Sequence, residues 1–197
     1  EGIDCYNAHP LIYAYGESNI AITGKGIIDG QGSMETWWPM CGAVKYGWKE
    51  EIQSFSQTYE NLYLDSSLLL MEPYGFLQAD DIRYHKTVKA VKKALFHKGL
   101  MYRYNNEDDF GLPSSAFTIC TFWLIRALYV IGEKEEARCL FNEVLSYSNH
   151  LGLFSEDINF DTKEQLGNFP QAYSHLALVN TAILFAEEEK RLDFIRP

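Results

Sequence analysis

A carboxylate held on a loop between two packed helices can take a proton from a water, and residues 152–175, GLFSEDINFDTKEQLGNFPQAYSH, offer Glu156 in that setting. The segment follows one helical pattern and opens another, so the helices fix the backbone while the side chain stays free to meet a ligand. Residue type alone is a weak guide. With Asp157 and Asp161 close by, a solvated surface carboxylate is the commoner outcome. His175 does not extend the chemistry toward a metal: no second His or Cys stands at ligand spacing, and a hydrogen-bonded helix histidine is the simpler reading. Cys5, Cys41, Cys120 and Cys139 lack C-x-x-C spacing and read as buried thiols, neither metal ligands nor a disulfide framework. Nothing in the residues calls for a cofactor.

The elements that must position Glu156 are helical from Ser54 onward. Tyr84, Val88, Val91 and Leu95 recur at helical spacing, with Lys86, Lys89, Lys92 and Lys93 turned elsewhere, which predicts an amphipathic helix with a solvated lysine face. The Asp80-Asp81 pair before it reads as an N-terminus, its carboxylates meeting unpaired amides and the helix dipole. A second amphipathic helix is predicted over 134–149, with Ala137, Leu140, Phe141, Val144 and Leu145 on one stripe. Between them FTICTFWLIRALYVI is apolar nearly all round and is closed by Gly132, as a fully buried helix would be. Residues 170–188, and the shorter run 64–71, have the same all-round character. Buried and exposed helices in alternation are what helical hairpins in two concentric layers produce. The expected fold is mainly α: a partial α/α toroid, an incomplete six-hairpin barrel, whose open inner-helix faces imply instability, self-association or a chain cut from something larger.

The string GLFSEDI followed by EQLGNFPQAYSHLAL resembles the C-terminal signature of glycoside hydrolase family 15, the glucoamylases and related glucan and trehalose hydrolases. The resemblance runs back through CTFWLIRAL and YRYNNEDDFGLP and covers about residues 54–197. It implies the toroid, the inverting hydrolysis of α-glucosidic bonds, and Glu156 as the general base. Glu164, Gln165 and Leu166 fall where the family has Glu-Gln-Leu. Arg103 falls where the family has an Arg that binds sugar hydroxyls; its plainer role is an ion pair with Glu107 or Asp108. Tyr104 and Tyr173 are the aromatics that could stack on a pyranose ring, although packing is the commoner use of such residues. Inversion needs a second carboxyl, an acid about 6.5 to 9.5 Å from the base. The segment that carries that acid in the family is missing here, and none of Glu60, Asp65, Glu107, Asp108 or Asp109 matches it.

Residues 1–53 have a different character. LIYAY, IAIT and IID are short strand-like runs broken by Gly, Asn and Ser, as the rungs of a parallel β-helix would be. NIAITGKGIIDGQG, with Trp37-Trp38 and YGWKE, resembles glycoside hydrolase family 28, the polygalacturonase type. That resemblance brings no chemistry, because the family's catalytic aspartate motifs do not follow. Trp37 and Trp38 could hold sugar but are more simply packing residues. Two units are expected, a β-rich 1–53 and a helical 54–197, meeting abruptly near residue 53 as fragments of two carbohydrate-active enzymes would.

Composition limits the partners. With 17 Lys plus Arg against 27 Asp plus Glu, the net charge of -10 repels nucleic-acid phosphates and anionic lipid, whereas a neutral oligosaccharide is compatible with it. The longest apolar run, 116–131, is interrupted by Arg126 and too short to cross a membrane. No signal peptide opens the chain, and a cytoplasmic location is the expectation, although a start at Glu1 carries little information about it. The alternative to a hydrolase is a non-catalytic carbohydrate-binding or oligomerising helical module.

Overall fold

The computed structural model describes residues 47–58, 60–109 and 111–188. Among these, the chain is mainly helical with small antiparallel sheets. The helices are α1 (Ile82–Leu95), α2 (Thr118–Val130), α3 (Lys134–Leu145) and α4 (Ala172–Glu188), preceded by a 3-10 helix at Ser66–Met71. The strands are two-residue pairs: β1 (Trp48–Lys49) with β2 (Ser54–Phe55), β3 (Phe96–His97) with β4 (Leu100–Met101), and a three-stranded sheet of β5 (Ala116–Phe117), β6 (Asp157–Ile158) and β7 (Gln165–Leu166). The β-helix rungs expected over residues 1–46, with Cys5, Trp37, Trp38 and Cys41, lie outside the described residues. From residue 47 the chain forms the antiparallel β1–β2 pair, whose strands stand on either side of residue 53.

The helical stripes become core. Tyr84, Val88, Val91 and Leu95 of α1 are fully enclosed, and Asp81 caps that helix by accepting the Arg83 backbone N–H at 2.8 Å. α2 is the central element, packed against α3, α4 and the 3-10 helix, with Cys120, Phe122, Leu124, Ile125 and Ala127 sealed from solvent. It stops where the sequence stops it: Gly132 takes φ +96°, which brings its N–H to the Tyr129 carbonyl at 3.1 Å and the Glu133 N–H to Leu128 O at 2.9 Å. The run 64–71 is realised as the 3-10 helix, its first turn capped by the Asp65 carboxylate on Ser67 N–H at 2.7 Å.

Two expectations are corrected. Cys139 is exposed, because it stands two residues past Ala137 on α3, about 200° round the helix from the buried stripe of Ala137, Leu140 and Val144. α4 is not buried on every side. Ala177, Thr181 and Phe185 face α2 and are enclosed, while Leu176, Val179 and Ile183 remain 65%, 50% and 39% exposed. An all-apolar helix carries no signal for which side meets a neighbour, and here α2 covers one side. No helix among the described residues is long and apolar enough to cross a membrane.

The β sheets brace the connection after α3. β5 pairs with β6 in the register Ala116↔Ile158 and Phe117↔Asp157, and β6 pairs with β7 through Asp157↔Leu166 and Ile158↔Gln165. The turn between β6 and β7 is fastened to the β3–β4 hairpin. Tyr102 and Phe160 have ring centroids 4.3 Å apart, and the Lys163 ammonium donates to Phe160 O at 2.8 Å and Lys98 O at 2.5 Å.

Candidate active site

The segment that carries Glu156 is stitched on both sides through its backbone. Phe154 N–H donates to Nε2 of His175 at 3.2 Å, and Phe154 O accepts the Gln171 N–H at 2.9 Å. Ser155 O accepts the Ser174 hydroxyl at 3.0 Å. Glu156 N–H donates to Asn168 O, and Glu156 O accepts Thr118 N–H, both at 2.9 Å. The base of α2 on one side and the first turn of α4 on the other therefore fix residues 154–156. Beneath them Phe154 is fully buried, edge-on to Phe122 of α2 at 5.6 Å.

Both carboxylate oxygens of Glu156 are held. Oε1 accepts the Tyr173 hydroxyl at 2.5 Å, and Oε2 accepts the Asn168 side-chain amide at 2.7 Å and the Asn168 backbone N–H at 3.3 Å. The Tyr173 hydroxyl, followed by the Asn168 N–H, lowers the pKa of Glu156 below the ordinary value for a glutamate, because hydrogen bonds to the ionised form favour it. The Tyr173 phenol is shifted up in turn, by burial first and then by the bond to Glu156. Asp157, next along the chain, is shifted the other way. Burial raises its pKa, although Ser115 donates its hydroxyl to Oδ2 at 2.6 Å.

Glu156 opens onto a concavity of about 760 Å³ that is also lined by Arg103, Tyr104, Asp108, Ser115, Phe117 and Asp157. Arg103 leaves the end of β4, and its backbone O accepts Ser66 N–H at 2.7 Å. Its side-chain partner is Asp65, Nε to Oδ2 at 3.5 Å, and not Glu107 or Asp108. Asp65 is buried and committed to that pair and to the Ser67 cap. Tyr104 donates its hydroxyl to Asp108. Glu60, Glu107 and Asp109 are exposed and do not line this concavity. Tyr173 lines a neighbouring groove of about 570 Å³ between α2 and α4, with Trp123 and Arg126, and reaches Glu156 through its hydroxyl.

The geometry thus brings Glu156, Arg103 and Tyr104 to one concavity and gives Tyr173 the part of a hydrogen-bond donor to the carboxylate. Sequence reasoning missed Asn168, Gly167 and Ser115. The Gly-Asn step inside EQLGNFPQ was the available signal, since such a pair marks a tight turn. Gly167 has φ +73°, and a Cβ there would stand 3.1 Å from Oε2 and 3.2 Å from Cβ of Glu156. His175 uses both ring nitrogens in the fold, Nδ1 lying 2.7 Å from Gln171 O. Among the described residues, no group of three or more His, Cys, Asp and Glu side chains is arranged to hold a metal ion.

Residues 34–183 match the glycosyl hydrolases family 15. The match takes in residues 34–53, which the sequence set with the N-terminal unit. Among curated relatives, the chain is 45% identical over 139 residues to a trehalase of Mycolicibacterium smegmatis, covering 68% of this chain and 21% of that protein. It is 44% identical over 140 residues to a trehalase of Mycobacterium tuberculosis, with 68% and 21% covered. A trehalase of Thermoplasma acidophilum is 38% identical over 138 residues, with 69% and 24% covered. The chain therefore spans about a fifth to a quarter of the length of these relatives. A solved chain described as "Glycosidase Wild Type" superposes with a TM-score of 0.59 at 18% identity, over 72% of this chain and 41% of that one, a likeness of fold.

Proposed function

The chain belongs to family 15 of the glycosyl hydrolases, and from that premise we propose that it is part of an inverting hydrolase of α-glucosidic bonds, with Glu156 as the base that activates water. One observation carries the reading: Glu156 lines a concavity shared with Arg103, and its carboxylate accepts from three donor groups of Tyr173 and Asn168, which favour its ionised form. An ionised carboxylate with fixed oxygens can orient a water and accept its proton. Arg103 donates to sugar hydroxyls while Asp65 anchors it, and Tyr104 offers a ring at the rim. The names of the relatives favour trehalose, two glucose units joined through an α-linkage, as the substrate of the whole protein, with a short neutral glucan as the alternative. In this reading α1 to α4 belong to a partial α/α toroid. The groove along α4 is its unclosed inner side, and a second copy of the chain covers it. The resemblance of the N-terminal residues to family 28 adds no catalytic group.

Glu156 is a base without its acid in this chain. A sugar alkoxide leaves poorly without a proton, and a positioned acid contributes about 10²- to 10⁴-fold. Fluoride leaves with far less help. The purified chain is expected to turn over α-glucosyl fluoride slowly, to lose that rate in Glu156→Gln, and to leave maltose and trehalose intact while binding one of them. Rapid maltose hydrolysis would overturn the assignment of a missing acid. Inertness toward the fluoride, together with no binding of either sugar, would leave the oligomerising helical module as the better reading.

A further inference from the structure

The tautomer of His175 is set by what surrounds it. The Gln171 carbonyl, 2.7 Å from Nδ1, can only accept, so Nδ1 carries the proton. The Phe154 backbone amide, 3.2 Å from Nε2, can only donate, so Nε2 is bare. The imidazole is therefore neutral, and its free lone pair is the acceptor for an amide two residues before Glu156. The rest of that backbone runs on without a break. Phe154 O takes Gln171 N–H, Ser155 O takes the Ser174 hydroxyl, and Glu156 N–H goes to Asn168 O.

We propose that His175 is a positioning residue for Glu156 and that its protonation, rather than that of Glu156 alone, releases the carboxylate on acidification. The proposal rests on the reading of Glu156 as the base. A proton added at Nε2 sets an N–H against the Phe154 N–H. The buried amide then loses its acceptor, and the segment from 154 to 156 loosens at its first stitch. Glu156 itself resists protonation, because Tyr173 and Asn168 hold it ionised, so its own titration lies at lower pH than an ordinary glutamate's. The ionisable groups on the facing segment are His150, Glu156 and Asp157. Glu156 is occupied by Tyr173 and Asn168, and Asp157 by Ser115. On the last turn of α3, Glu143 accepts the Tyr147 hydroxyl, and on α4 the neighbouring titratable group is Tyr173. Among the described residues no carboxylate forms an ion pair with the imidazole that would hold the added proton in place.

The test uses the full chain labelled with nitrogen-15. Long-range proton–nitrogen spectra should show His175 with Nδ1 protonated and Nε2 bare. As acid collapses that pattern, hydrogen-exchange protection of the Phe154 amide should fall about five- to tenfold, the loss of one net hydrogen bond. His175→Gln keeps an acceptor oxygen near Nε2 that does not titrate. Its Phe154 protection should stay level over the same range, and its acid limb for α-glucosyl fluoride turnover should move to lower pH. An Nε2–H tautomer, or protection in His175→Gln that falls in step with the natural chain, would overturn the proposal. The spectra and exchange need no substrate. Absence of fluoride turnover in every variant would therefore count against the hydrolase reading alone, and the tautomer and exchange results would decide the role of His175 by themselves.

Discussion

The Tyr173 hydroxyl donates to Oε1 of Glu156 at 2.5 Å, tying the first turn of α4 to a carboxylate seventeen residues earlier. Removing that donor in Tyr173→Phe should raise the pKa of Glu156 toward the ordinary value, because the hydroxyl is the largest cause of its depression. The folded chain holds this proton more weakly than the unfolded chain. The bond therefore stabilises above the unfolded carboxylate range, and the stabilisation is lost as pH falls through the folded value. Tyr173→Phe should show a smaller acid-linked loss, a carbon-13 titration midpoint for Glu156 at higher pH, and roughly tenfold slower fluoride turnover. An unmoved midpoint would mean that the hydroxyl does not act on the carboxylate.

Gly167→Ala should cost about 1 to 2 kcal/mol of stability by urea unfolding, the penalty for an L side chain in the left-handed region at φ +73°. The added Cβ also meets Glu156 Oε2 at 3.1 Å, so turnover should fall more than sugar affinity does. An equal loss in both would point to general unfolding.

Burial raises the pKa of Asp157, so its sign is opposite to that of Glu156. The folded state binds this proton more tightly than the unfolded chain, and the ionised form therefore weakens the fold at neutral pH. That penalty disappears as pH falls through the carboxylate range. Asp157→Asn can still accept from Ser115, and should be more stable than the natural chain at pH 7 and equal to it in acid. Thermal melts across that range measure the difference. A stability deficit at pH 7 would show that the Asp157 charge has a favourable partner.

The outward side of α4 is the place to test self-association. Leu176→Lys with Val179→Glu replaces side chains that are 65% and 50% exposed, so folding stability should shift by no more than about 0.5 kcal/mol per site. The sedimentation coefficient should then fall to that of a monomer. A natural chain that is already monomeric at high concentration would remove this role for the groove.

The legible parts of the fold were those written in local periodicity. The stripe Tyr84–Val88–Val91–Leu95 and the stop at Gly132 need only neighbours within a turn or two, and both stand in the structure as read. Glu156 and Arg103 were singled out as site residues through resemblance, since neither residue type nor spacing relates the two. What was not legible depends on distance along the chain. The partner of Arg103 is Asp65, 38 residues away, and nearer carboxylates looked equally suitable. Asn168 was in view within the quoted string, but a side chain reaching back twelve residues across a turn has no periodic signature. The uncovered side of α4 was hidden for another reason: an apolar residue reads the same whether or not a neighbour arrives.

The stitching of residues 154–156 also bears on the order of assembly. Apart from Thr118, every group that holds Glu156, from Asn168 to His175, lies within about twenty residues after it, so closing these loops costs little chain entropy. The segment is thus a low-contact-order cassette, able to form ahead of distant pairings. Recombination or truncation elsewhere can remove distant segments and still leave the carboxylate in its frame. The frame around Glu156 is heritable as a short contiguous piece of chain.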